Sequence, residues 1–273
     1  MARLYLVATP IGNMEDITLR ALQVLREAPL IAAEDTRHAR LLLDRHGIAG
    51  KRLTSYNDHN AARKTAALLR ALEAGDVALV TDAGMPGISD PGQHLVAAAI
   101  AAGHDIVPVP GASAVVAAVA ASGLPSRRFH YLGFLPRTAG ARRRALAEAA
   151  ASGDTIVVYE SPRRVRALLQ DALAVLGDRR VAVCRELTKL HEEIWRGLIS
   201  EAIARFDQPR GEITLVFEGI PTIGDAPSVR ADPSAIAREM RASGATAKEA
   251  VARLIRECGL SRREAYRLWT TGG

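Results

Sequence analysis

The sequence predicts an α/β protein made of two α/β domains and a small C-terminal helical tail, and three observations carry that prediction. Short runs rich in Val, Ile and Leu alternate with amphipathic stretches over residues 1–220. Several of those runs end in loops dense in Gly, Pro and Asp. Past the Pro/Gly segment Ile220-Pro-Thr-Ile-Gly-Asp-Ala-Pro227 the strand-like runs stop and basic amphipathic stretches take over.

The elements follow in order. Strands are expected at 4–8, 30–33, 77–81, 106–109, 129–132, 155–159, 181–185 and 213–217, each a short apolar or β-branched run bounded by turn residues. Asp35 or Thr36 can cap a helix over 37–45. Asn60 and Gly75 bracket a helix over 61–74; Asp90, Pro91 and Gly103 punctuate one over 91–102; Ser161, Pro162 and Gly177 do the same for 162–176. The turn-rich break at 122–125 separates a first domain, 1–121, from a second, 122–220. The tail, 228–273, holds helices at 233–242, 247–257 and 262–269, the last opened by a capping box of Ser261 and Glu264.

Composition excludes several classes. Cys184 and Cys258, the only cysteines, lie far apart and form neither a disulfide framework nor a zinc motif, which suits a reducing cytoplasm. The uncharged stretch 106–126 is broken by Pro108, Pro110 and Gly111, and the N-terminal apolar run covers only residues 4–8, so no membrane span or secretory leader is expected. Net charge is +6, and only four of the 36 basic residues are Lys (51, 64, 189 and 248). Arg is clustered: residues 125–147 hold Arg127, Arg128, Arg137, Arg142, Arg143 and Arg144 with no acid. Arg grips phosphate bidentately, so this placement favours a nucleic-acid partner, although a base-composition bias also yields Arg.

The chemistry concentrates in three Gly/Pro loops that follow strands: residues 8–13 (ATPIGN), 81–92 (TDAGMPGISDPG) and 108–114 (PVPGASA). Gly lets backbone approach a ligand and Pro limits loop freedom, and the carboxyl ends of strands are where α/β sheets bind ligands. Dinucleotide, P-loop and hydrolase signatures are absent from the sequence. No His/Cys/Asp spacing matches a metal site, so metal-independent chemistry is expected.

These loops, taken in order with AEDTR (33–37), SYNDHN (55–60), YLGFLP (131–136), YESPRR (159–164), RELTK (185–189) and RGEITLV (210–216), resemble the tetrapyrrole methylase superfamily over residues 3–220. The resemblance implies two α/β domains with S-adenosyl-L-methionine held in the cleft between them, in a homodimer. It implies cofactor contacts at Pro10, Asp82, Ala83, Gly84, Ile88, Ser113, Ala114 and Tyr159. Members that modify tetrapyrroles carry GGDP where this chain has DAGMP. The motif set is instead similar to the branch that methylates a ribose 2′-hydroxyl of a decoding-site cytidine, with 16S rRNA or the small ribosomal subunit as partner. A tetrapyrrole methylase and a non-catalytic RNA-binding assembly factor are the rival readings.

A ribose hydroxyl is a weak nucleophile and needs a base or a cation nearby. Glu34, Asp35 and Lys189 are the leading catalytic candidates, with Glu160 and Glu186 behind them; for Asp35 the competing reading is helix capping, and for Lys189 a solvated surface position. Among the seven histidines, His59 is expected near substrate, while His38, His46 and His104 read as structural.

Overall fold

Two five-stranded sheets, each with helices against it, form the first part of the chain in the computed structural model, which describes residues 2–219, 233–258 and 260–270. The first sheet contains β1 (Arg3–Val7), β2 (Leu30–Ala33), β3 (Arg52–Ser55), β4 (Val77–Val80) and β5 (Asp105–Val109), in the order β3-β2-β4-β1-β5. All its pairings are parallel. A parallel sheet is covered on both faces, and β4, VALV, is buried at every position. Its residues alternate as a strand must: Ala78 and Val80 face the cluster formed with α1 (Leu19–Glu27) and α2 (Thr36–Arg45), whereas Val77 and Leu79 face α3 (Ala61–Ala74) and α4 (Gln93–Ala101).

The second sheet contains β6 (Phe129–Phe134), β7 (Thr155–Glu160), β8 (Arg180–Arg185), β9 (Glu193–Leu198) and β10 (Ile213–Phe217), ordered β6-β7-β10-β8-β9. Only β6 and β7 pair in parallel; β10 runs antiparallel between β7 and β8. One face packs α6 (Ala139–Ala150), α7 (Val165–Leu176) and α8 (Ile199–Arg205). On the other face, Val157, Ala182, Cys184 and Val216 meet Val115, Ala118 and Val119 of α5 (Ala114–Ser122). Burial among these apolar neighbours pushes the Cys184 thiol up to about 11, which leaves it inert.

All eight expected strands form. Two more do so without a clear sequence signal: β3, RLTS, and β9, EIWRGL, are the outer strands of their sheets and carry charged or polar residues in place of a continuous apolar run. Two helix starts differ from expectation, and a third helix starts where expected but without its side-chain cap. The turn at Pro91-Gly92 places Gly92, at φ +150°, as the cap of α4, so Asp90 does not cap it. Ser161 begins a turn, its carbonyl accepting from the Arg164 and Val165 amides, and α7 starts only at Val165. Asn60 precedes α3 but spends its side-chain oxygen on the Asn57 amide at 3.0 Å.

The chain divides into two compact units, Met1–Ile220 and Pro221–Gly273. The second contains α9 (Pro233–Ala242), α10 (Ala247–Cys258) and α11 (Arg262–Thr270) around Ile236, Ala237, Val251, Leu254 and Ala265. The Ser261–Glu264 capping box forms, with the Ser261 amide donating to Glu264 Oε2 at 2.9 Å and the Glu264 amide to Ser261 Oγ at 3.3 Å. The Pro/Gly segment 220–227 lies outside the described residues.

Candidate functional site

Strand order decides where the loops meet. β4, β1 and β5 are neighbours, so the loops that leave their carboxyl ends share one edge. Thr9 and Gly84 exchange backbone hydrogen bonds at 2.9 and 3.0 Å, and Thr9 Oγ1 donates to the Thr81 carbonyl at 3.0 Å. Gly84 has φ +78°, a conformation that disfavours any side chain. Gly111 packs so closely on Ala8 that a Cβ would sit 2.9 Å from the Ala8 Cβ.

The second sheet supplies the facing wall. Because β10 is antiparallel, its first residue, Ile213, lies beside Glu160 at the end of β7 and Arg185 at the end of β8. The turn after β8 then meets the first Gly/Pro loop: Gly12 packs against Lys189 and Leu187, and the Asn13 amide donates to Thr188 Oγ1 at 3.0 Å. Ser89 (φ +60°), Glu186 (+52°) and Thr188 (+65°) are the non-glycine residues with positive φ among those described; Ser89 lines the cleft, and the other two hold Lys189 and the Asn13 amide at its edge. Strained backbone of this kind persists where surroundings over-determine it, and it concentrates at ligand sites.

Two adjoining cavities result. One, of about 370 Å³, has apolar walls and is lined by six of the sequence-predicted contacts, Ala83, Gly84, Ile88, Ser113, Ala114 and Tyr159. The other, of about 390 Å³, is lined by Pro10, Asp82 and Lys189. Ile11, Ala83 and Glu212 border both. Glu34 and Asp35 line neither; they stand behind Asp82, whose amide donates to Glu34 Oε2 at 3.2 Å and whose Oδ1 accepts the Asp35 amide at 3.2 Å.

The charged groups have distinct environments. Asp35 caps α2: its Oδ1 accepts from the Arg37 amide at 2.8 Å, and the hydrogen bonds from Arg37 hold its carboxyl well below the usual carboxylate range. Burial pushes Glu34 up, with the Asp82 amide pulling it back. Lys189 donates to Glu186 Oε1 at 3.0 Å and to Glu212 Oε2 at 2.9 Å; burial works against its charge, but these two partners prevail and keep it firmly cationic. Asp90, freed from capping, lines the apolar cavity. Burial first, then Glu34, Asp82, Asp58 and Glu212, push its carboxyl up to about 7.

Among the lining residues that sequence reasoning missed, four bear on the chemistry. Asp90 is hidden by its resemblance to a helix cap, and Phe134 and Glu212 sit inside motifs whose Gly residues draw attention first. His38 is the fourth: it borders the second cavity, whereas His59 borders neither. The i+3 position after Asp35 puts His38 on the same side of the strand-end region as Asp82, a relation visible only once β2 and β4 are known to be neighbours.

Comparison with known proteins now places this geometry. Residues 3–203 match the tetrapyrrole (corrin/porphyrin) methylase family. Ribosomal RNA small subunit methyltransferase I of Halalkalibacterium halodurans is 44% identical over 272 residues, 97% of this chain and 94% of that protein. The protein of the same name from Synechocystis is 46% identical over 273 residues, 98% and 97% of the two chains. That of Thermotoga maritima is 48% identical over 222 residues, which is 99% of its length but 80% of this chain, so the unmatched fifth is the size of the second unit. Among solved structures, the uroporphyrin-III C-methyltransferase of Thermus thermophilus in complex with S-adenyl homocysteine aligns with TM-score 0.60 at 21% identity, covering 80% of this chain and 97% of that one. The methyltransferase CobJ aligns at 0.62 and 19%, covering 80% and 95%. The chain belongs to the tetrapyrrole methylase family, the class that the paired sheets and loop-lined cleft define. Within that family it sits with the relatives named ribosomal RNA small subunit methyltransferase I.

Proposed function

We propose that this protein transfers a methyl group from S-adenosyl-L-methionine to a ribose 2′-hydroxyl of small-subunit rRNA, at a decoding-site cytidine. The observation that carries the proposal is the pair of adjoining cavities, one walled by the Gly/Pro loops and apolar side chains, the other mixing apolar side chains with His38, Asp82 and the cation of Lys189. The names of the relatives supply the substrate class.

The apolar cavity suits the cofactor. Ile11, Ile88 and Phe134 offer surfaces for an adenine ring, and Ser113 begins α5 without a side-chain cap, leaving amides for a polar edge. Asp90 supplies negative charge for a sulfonium, whereas the buried Glu160 carboxylate is paired with Arg164 Nη2 at 3.1 Å. When bound, S-adenosyl-L-methionine supplies an activated methyl group; the chain's residues do the aligning. Ala83, Gly84, Ile88, Ser113, Ala114 and Tyr159 hold it, with Pro10 and Asp82 on the side towards the second cavity. Glu34 and Asp35 tether Asp82. Lys189, kept charged by Glu186 and Glu212, faces substrate phosphate as a cation. The working form is a cytoplasmic homodimer, and no described helix is long and apolar enough to cross a membrane.

The test is methyl transfer from labelled cofactor to small subunits isolated from a strain lacking the enzyme, with mass-spectrometric mapping of the product. One 2′-O-methylcytidine in the decoding region is expected. An unlabelled RNA, or label on a tetrapyrrole offered in its place, refutes the proposal. In the same assay Gly84→Val, which forces a branched side chain into positive φ, should weaken cofactor binding at least about tenfold, roughly 1.4 kcal/mol, by calorimetry.

Asp90 gives a pH dependence with a definite sign. Below about 7 its carboxyl is protonated in the free protein, and a sulfonium cation favours the ionised form. Affinity for S-adenosyl-L-methionine should therefore rise as pH goes from 5.5 to 8, by about three- to tenfold once solvent screening is allowed for. The neutral thioether product should show a smaller rise. Equal slopes for the two ligands would remove Asp90 from the cation's surroundings.

A further inference from the structure

The groups first suspected of taking the substrate's proton are otherwise engaged. Asp35 caps α2, Lys189 is held as a cation by two carboxylates, and Glu34 accepts the Asp82 amide. His38 is not so engaged. It lies on α2 with its side chain largely exposed, borders the second cavity, and places Nδ1 3.1 Å from Asp82 Oδ2. Among the described residues, Nε2 has no hydrogen-bond partner.

Building on the proposed methyl transfer, we propose that the second cavity receives the ribose of the target nucleotide and that His38, oriented by Asp82, is the general base. Asp82 is itself fixed: Oδ1 accepts the Asp35 amide and its own amide is anchored on Glu34. With the Nδ1 proton turned toward Asp82 Oδ2, 3.1 Å away, the Nε2 lone pair is left for substrate. The arrangement repeats the logic of a carboxylate-oriented imidazole that accepts a hydroxyl proton. The ribose oxygen gains the methyl carbon as its O–H proton passes to Nε2, and the electron pair of the broken C–S bond remains on sulfur. The products are a methyl ether, a neutral thioether and an imidazolium beside the Asp82 carboxylate. The other charged groups around His38 are Asp35 and Arg37 on its own helix start, Lys189 from the turn after β8 and Glu212 before β10. Lys189 and Glu212 form an ion pair with each other, which leaves Asp82 as the anion directly on the ring.

Single-turnover methylation of small subunits at saturating cofactor tests this. His38→Ala should lower the rate about 10²- to 10⁴-fold while calorimetry shows cofactor affinity unchanged. The acid limb of the wild-type rate–pH profile should disappear in His38→Ala and return, with part of the rate, on adding imidazole. Asp90→Asn is run alongside, because burial pushes the Asp90 carboxyl up to about 7; it should weaken cofactor binding and keep the limb. Nitrogen-15 shifts of His38 give a readout independent of turnover, with Nδ1–H expected in wild type and lost in Asp82→Asn. A His38→Ala rate within about twofold of wild type overturns the inference and leaves the methyltransferase reading intact, as does loss of the limb in Asp90→Asn instead. A wild-type protein that methylates no RNA overturns both.

Discussion

Asp171→Ala should destabilise the first unit by about 3–5 kcal/mol, because it leaves a buried guanidinium without its carboxylate. Arg142 lies on α6 with its side chain only 7% exposed, and Nε donates to Asp171 Oδ2 at 2.7 Å. Asp171, on α7, is 4% exposed at the side chain and also accepts from Arg143 Nε at 2.6 Å. Around the pair, Leu146, Leu168 and Ala172 exclude water. At roughly 2–4 °C per kcal/mol for a unit of this size, thermal unfolding followed by circular dichroism should show a drop on the order of 10 °C. Arg143→Ala should cost less than about 1 kcal/mol, since that side chain is 55% exposed and screened. A drop of only a degree or two for Asp171→Ala would mean that the pair contributes no more than its hydrophobic replacement.

The same pair corrects a reading of the sequence. Residues 125–147 look like a continuous phosphate-binding run when only charge is counted. In the fold, Arg142 and Arg143 are taken by Asp171, and Arg128 by Asp154 at 3.0 Å. The partners lie 26–29 residues away in sequence, beyond the reach of any local rule. Arg127, Arg137 and Arg144 remain exposed without an ion pair among the described residues. A charge count therefore overstates the unpaired positive charge of this segment about twofold.

What was legible followed from period and punctuation. The buried strands β1, β4, β7, β8 and β10 announce themselves as apolar runs, and the three Gly/Pro loops follow from residues that only a close approach of backbone would require. The resemblance extended this to the six residues that line the apolar cavity. Edge strands β3 and β9 escaped because charged and polar residues interrupt their apolar runs, whereas the opposite edges, β5 and β6, keep theirs. At the site, the limit was competition between local and tertiary partners. Asp35 and Asp90 both precede helices in sequence; one became a cap and the other, displaced by the turn at Gly92, became a cavity wall. His38 offered no local signal at all, because its partner, Asp82, lies 44 residues further along, in the loop after β4, a strand that lies next to β2 only in the folded sheet.

Removing the second unit, by truncation after Ile220, should leave cofactor affinity nearly intact and weaken RNA binding with a shallower salt dependence. Every residue that lines either cavity precedes the cut, and the first unit has its own cores on both faces of each sheet. The tail contributes charge instead: residues 224–273 carry nine basic and six acidic side chains. Arg262 and Arg263 are exposed in the first turn of α11, where the helix dipole disfavours a cation, and Arg263 and Arg267 stand one turn apart on one face. A helix that keeps repelling charges in such positions is suited to a polyanion. Each phosphate contact adds about −0.7 to −0.9 to the slope of log affinity against log salt, so loss of two or three contacts should flatten that slope by roughly 1.5–2.5. The competing account makes the tail a dimer contact. It expects truncation to produce monomers in sedimentation, with RNA affinity lost only as far as the dimer is lost. Removing charge from the full-length chain separates the two: Arg262→Gln with Arg263→Gln should flatten the salt slope without changing the sedimentation coefficient if the tail holds RNA. A truncated protein that stays dimeric and keeps the wild-type affinity and slope would rule out both roles.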